Sequence, residues 1–172
     1  MTRIILDVDT GTDDAAAIMF AALHTGLELV ALTTVNGNVP LDYTTDNTLR
    51  IVDFLGLSAP VYAGMPAPLV RPNPTRRPES FPTPSVWGDT LDLPPAHSSP
   101  RPAHAVDFLI EYYMGPAGPE TILVGLGPLT NIAAALKKQP HLTRRIPALY
   151  VMGGGHAAGN VDSAPGSEFN IW

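Results

Sequence analysis

Residues 4–17 read IILDVDTGTDDAAA: an apolar run, then the four carboxylates of Asp7, Asp9, Asp13 and Asp14, then an alanine run. Ile4 to Val8 has the composition of a buried strand, and helical spacing begins at Asp14, so the acids fall where a strand hands over to a helix. Gly11 permits a tight backbone turn there, and Thr12 or Asp13 is positioned to cap the helix by accepting its free amide hydrogens. In an open parallel sheet, ligands bind beyond the carboxyl ends of the strands, which is where this turn lies. Capping employs one carboxylate and the helix dipole a second. Asp7 and Asp9, two apart, share one strand face, and like charges that close raise each other's pKa unless something positive lies between them. A hard cation such as Ca2+ or Mg2+, bound by carboxylate and carbonyl oxygens, would remove that repulsion. The plainer alternative is a solvated, capped turn.

Working outward, β-branched runs at residues 29–35, 121–126 and 148–152 read as further buried strands. Helical spacing over 14–24, 41–55, 103–113 and 129–138 alternates with them. Strand–helix alternation predicts an α/β fold: a Rossmann-like open, mostly parallel sheet with helices on both faces. Twelve of the 19 prolines lie in residues 60–102, which excludes regular helix and central strand there. A loop of that length, at about 66–102, is either a functional lid or a disordered insert. A length of 172 residues with 45% hydrophobic content predicts one domain, residues 1–172. The net charge of -6 argues against a nucleic-acid or anionic-membrane surface. With no cysteine, disulfides, thiolate metal sites and thiol catalysis are excluded, which fits a reducing, cytoplasmic location. No apolar run approaches the roughly 18 residues needed to span a bilayer.

Two cation-using enzyme classes carry acids in such a turn. Haloacid-dehalogenase-like phosphatases use Asp-x-Asp-x-Thr or Val with the first Asp as nucleophile, but here Asp7-Val8-Asp9-Thr10 is followed by Gly11. DVDTGTDDAAAI instead resembles the signature of the inosine-uridine-preferring nucleoside hydrolases. TTVNGN at 33–38, GLGPLTNIA at 125–133, VMGGG at 151–155 and GNVDSAPGSEFNIW at 159–172 follow in that family's order.

The resemblance implies Ca2+-dependent hydrolysis of the N-glycosidic bond of ribonucleosides to free base and ribose. Matched to the family, Asp9, Asp14 and the main-chain carbonyl of Leu126 would ligate the ion. Asp9 would also be the catalytic general base toward the attacking water. Asp13, Asn38, Asn160, Glu168 and Asn170 would hold the ribose hydroxyls, and Met152 would touch the sugar. Each has a plainer reading beside that one. Asn38 could be a left-handed turn residue, Met152 core packing, and Asn160, Glu168 and Asn170 an exposed tail. Asn131 reads as a cap or brace of the helix that follows it, and Asp7 as a brace behind the ligands. His156, on a Gly/Ala stretch, is not expected to be catalytic.

Family chains continue for nearly as many residues again and draw a last calcium ligand and a leaving-group histidine from there. Residue 172 falls in mid-motif, so the resemblance implies a truncated chain, with activity impaired. It further implies a homo-oligomer or a complementary C-terminal chain as partner. A non-catalytic or split-subunit module that binds a cation or ribosyl group is the alternative. Trp87-Gly88 stands where the family has His-Gly, leaving Trp87 to stack on a base or anchor the loop. The preferred base is not legible.

Overall fold

The structure, a computed structural model, describes residues 1–70, 90–157 and 168–171. The order is β1 (Thr2–Val8), α1 (Thr12–Leu23), β2 (Leu27–Thr34), α2 (Leu41–Phe54), β3 (Val61–Ala63), α3 (Ala105–Met114), β4 (Thr121–Gly125), α4 (Thr130–Lys138) and β5 (Leu149–Val151). Short 3-10 turns at Gly118–Glu120 and Pro140–Arg144 lead into β4 and follow α4. The five strands form one sheet in the order β3-β2-β1-β4-β5, and every pairing is parallel.

Side-chain alternation along β1 explains why helices cover both faces. Ile4, Leu6 and Val8 pack with Leu32, with Ile18 of α1 and with Leu49 and Val52 of α2. Ile5 turns the other way, joining Ala31 and Leu123 against Val106 and Leu109 of α3 and Ile132 and Ala135 of α4. Strands buried on both faces read as continuous apolar runs, which is how they showed in the sequence. The predicted α/β architecture with a parallel sheet is therefore the one observed. From β1 the chain winds outward to β2 and β3 on one side, and β4 and β5 lie on the other. The topological switch point falls between β1 and β4, directly beyond Val8 and Gly125.

The proline-rich segment differs from a structureless loop at both described ends. Val61–Ala63 forms β3 at the sheet edge, where a short strand tolerates neighbouring prolines. Residues 90–102 run along α2, because α2 offers side chains to their main chain. Asn47 Oδ1 accepts from Leu91 N at 2.9 Å, and Arg50 Nη1 donates to Leu93 O at 2.8 Å. Asp53 Oδ2 accepts from His97 N at 2.5 Å and Ser98 N at 3.0 Å. Trp87 lies outside the described residues. Among the described residues no helix is long and apolar enough to cross a membrane.

Candidate active site

The acidic turn leaves β1 after Val8 and enters α1 at Thr12. The capping expectation fails: the N-cap position is Gly11, and no side chain caps the helix. Ala15 N donates instead to Gly11 O at 3.0 Å. Asp14, in the first turn of α1, points back into the strand end, and its Oδ2 accepts from Asp9 N at 3.0 Å. Asp13 is exposed beside it.

Asp9 is 3% and Asp14 2% exposed. Burial pushes both carboxyls upward, and Asp14 is raised further by the charges of Asp9 and Asp13. The Asn38 main-chain N–H, donating to Asp9 Oδ2 at 2.7 Å, pulls Asp9 partly back down. The Asn38 side chain also donates to Asp9 O at 3.4 Å. Among the described residues no non-glycine residue has positive φ, so Asn38 is not a left-handed turn residue. Two glycines make the seat for Asp9. A Cβ on Gly127 would lie 2.7 Å from Asp9 Oδ1, and one on Gly37 would lie 2.6 Å from Asp9 Cγ. The carboxyl thus fits only because both positions carry hydrogen.

Asp7 has a different task. Its side chain is fully buried beneath the turn, where Oδ1 accepts from Thr33 Oγ1 at 2.5 Å and Asn131 Nδ2 at 2.8 Å. Burial raises its carboxyl to about 7, against the downward pull of those two donors. Oδ2 is buried without a partner.

The remaining matched residues gather at the ends of β4 and β5. Leu126 N donates to Asp7 O at 2.8 Å, which fixes the turn after β4. The Leu126 carbonyl accepts from Asn170 Nδ2 at 2.7 Å, and the same amide donates to Met152 O at 3.0 Å. Glu168 Oε2 accepts from Asn170 N at 3.0 Å and Gly154 N at 3.2 Å. Glu168 and Asn170 are therefore lashed to the strand ends, with Asn170 6% exposed, and do not form a free tail. The Met152 side chain is not core packing either, since the residue is 45% exposed. Asn160 lies outside the described residues. His156 is exposed.

Sequence reasoning missed the polar face of α2. Thr48 Oγ1 meets Thr10 Oγ1 at 2.7 Å, Thr45 Oγ1 meets Thr34 Oγ1 at 2.8 Å, and Asn47 Nδ2 donates to Thr10 O at 3.0 Å. These side chains are buried and hold the main chain behind the acids. The available signal was Thr44, Thr45, Asn47 and Thr48 on the helix face that turns toward the sheet, in a helix otherwise buried through Leu49 and Val52.

This arrangement is the setting for the comparison with known proteins. The profile of the family described as inosine-uridine preferring nucleoside hydrolase matches residues 4–172. The chain belongs to that family. It is similar to the pyrimidine-specific ribonucleoside hydrolase RihB of Escherichia coli, 41% identical over 99% of this chain and 52% of the relative. Among solved structures, a purine-preferring ribonucleoside hydrolase from Gardnerella vaginalis superposes with a TM-score of 0.83 at 31% identity, covering 98% of this chain and 53% of that one. A plant nucleoside hydrolase gives 0.79 at 31% identity over 98% of this chain and 52% of that one. The chain spans about half the length of these relatives.

The nucleoside-hydrolase turn suits a hard cation by its donor chemistry: two buried carboxylates that repel each other, with the carbonyl of Leu126 across the switch point. Among the described residues no cluster of three or more Asp, Glu, His or Cys side chains could hold a metal.

Proposed function

We propose that this chain forms the floor of a ribonucleoside hydrolase site, cleaving the N-glycosidic bond to release base and ribose. The observation that carries the reading is the buried Asp9–Asp14 pair, held by Asn38 and two glycines at the sheet's switch point in a chain of this family. Asp9, Asp14 and the Leu126 carbonyl would hold Ca2+, which when bound lowers the pKa of water and neutralises the two carboxylates. Asp9 takes the proton of the attacking water. Its Oδ2 is oriented by the Asn38 N–H, and burial keeps its basicity above that of an ordinary aspartate. Asp13, Asn38, Asn160, Glu168 and Asn170 would hold the sugar hydroxyls, and Met152 would lie against its ring. Amide and carboxylate groups suit one face of a sugar because they donate and accept at several angles. The Asn38 N–H on Asp9 Oδ2 and the bonds that tie Asn170 and Glu168 to the ends of β4 and β5 support that grouping.

The names of the relatives divide between pyrimidine and purine preference, so both kinds of substrate belong in the test. Cysteine-free composition fits the cytoplasm. A phosphatase would need Asp7 as nucleophile, and Asp7 is sealed beneath the turn.

One observation favours a second reading, a binding module completed by a further copy or a complementary C-terminal chain. Leu149, Tyr150 and Val151 of edge strand β5 are 41%, 61% and 40% exposed, unlike the other apolar strands. Reducing-sugar release from inosine and uridine, with and without Ca2+, separates the two. Calcium-dependent turnover lost in Asp9→Asn supports the hydrolase. Calcium-dependent thermal stabilisation without turnover supports the module, and neither response overturns both.

A further inference from the structure

Asn131 is the second residue of α4, fully buried, and its side chain makes three hydrogen bonds outside its own helix. Nδ2 donates to Asp7 Oδ1 at 2.8 Å and to Thr34 O at 2.9 Å, while Oδ1 accepts from Met65 N at 2.8 Å. One amide thus joins α4 to β1, to β2 and to the chain after β3, using both its N–H donors and its carbonyl. Bracing the start of α4, the role its sequence position suggests, needs none of these three partners.

Two lines of contact run from Asn131 to Asp9. Along the first, Met65 is fixed by Asn131, and Met65 O accepts from Asn36 N at 3.0 Å. Asn36 opens the turn whose Asn38 N–H orients Asp9 Oδ2. Along the second, Asp7 is fixed by Asn131 two residues before Asp9, and Asp7 O accepts from Leu126 N at 2.8 Å and Gly127 N at 3.3 Å. That turn carries the Leu126 carbonyl and places the Gly127 α-carbon against the Asp9 carboxylate.

We propose that Asn131 is a positioning residue of the cation site, setting the separation of Asp9 and the Leu126 carbonyl while touching neither ion nor sugar. The proposal rests on the reading of Asp9, Asp14 and Leu126 as the ligands. Oxygen-ligated cations depend on ligand placement; losing a hydrogen-bond partner held directly on a ligand typically weakens metal binding about 10- to 100-fold, and Asn131 stands one contact further out.

The test is calorimetric titration of the chain with Ca2+ alone, in unmodified form and as Asn131→Ala, Thr33→Val and Leu109→Ala. Asn131→Ala should bind about tenfold more weakly, the lower end of that range. Thr33→Val removes the other donor to Asp7 Oδ1, with a 3.5 Å contact to Leu6 O, at nearly constant volume, and should weaken binding in the same direction by a smaller factor. It decides the matter if Asn131→Ala does not fold. Leu109→Ala empties part of the same core while removing none of the network's hydrogen bonds, and should keep affinity within about twofold, whatever stability it loses. Asn131→Ala and Thr33→Val binding as tightly as the unmodified chain overturns the proposal. So does an equal loss in Leu109→Ala, which would make the effect one of general stability. Absence of binding by the unmodified chain sinks the cation reading itself, and this proposal with it.

Discussion

Asp14 reaches back five residues to accept the main-chain N–H of Asp9 at 3.0 Å, so the helix start and the strand end are joined by one of the two acids that repel each other there. Asp14→Asn keeps an oxygen for that N–H and removes the charge. In chelator the variant should be more stable than the parent by about 1 kcal/mol, a rise of roughly 2–4 °C in Tm, because the cost of burying an acid there, and its repulsion by Asp9 and Asp13, are relieved. Added Ca2+ should then raise its Tm less than the parent's. Thermal scans with chelator and with Ca2+ check both halves.

Gly37→Ala places a methyl 2.6 Å from Asp9 Cγ and 2.7 Å from Asp9 Cβ, inside contact distance. Either the Asn38 turn lifts or Asp9 leaves its seat. The expected cost is about 1–3 kcal/mol, read as a lower urea midpoint at unchanged slope, together with weaker Ca2+ binding. An unchanged midpoint would show that the seat is looser than the geometry implies.

Asp53 holds two main-chain amides of the proline-rich segment, and those hydrogen bonds from Ser98 and His97 keep its carboxyl below the ordinary value of 3.8. A lowered acid pKa gives stability that is complete above the unfolded value and lost as pH drops through the folded one. Asp53→Asn should therefore unfold at lower urea concentration than the parent at pH 6. The gap should close as the pH is taken below about 4. A gap that is constant with pH would contradict this.

Asn170→Asp replaces a donor that bridges Leu126 O and Met152 O with an oxygen facing two oxygens. The cost is about 1–3 kcal/mol for the unpaired groups, concentrated locally. Amide hydrogen exchange at residues 168–171 should speed up strongly while that of β1 stays slow. Equal exchange in both variants would mean that the amide does not hold this segment.

The alternation of short apolar runs with helical spacing was enough to foretell a parallel α/β sheet, because Ile4 to Val8 is buried on both faces and Thr121 to Gly125 is buried or half-buried, with Asp7 the one charged residue within them. Asp9 and Asp14 stood out for the same reason: charge at the end of a buried strand has few structural explanations. The Asn38–Asp9 and Asn170–Leu126 bonds were beyond reach, since each joins positions 29 or 44 residues apart and depends on the order of strands. β3 was hidden by flanking prolines, which an edge position tolerates. Nothing in the local spacing names the partners of the threonines of α2, and only the packed sheet shows that Thr48 and Thr45 meet the hydroxyls of Thr10 and Thr34 behind the acids.

Strand β5 is the last strand of the sheet among the described residues, and its three side chains are open to solvent. In colloidal terms it is a sticky end. A strand laid against it would gain a ladder of hydrogen bonds and dry neighbours at once.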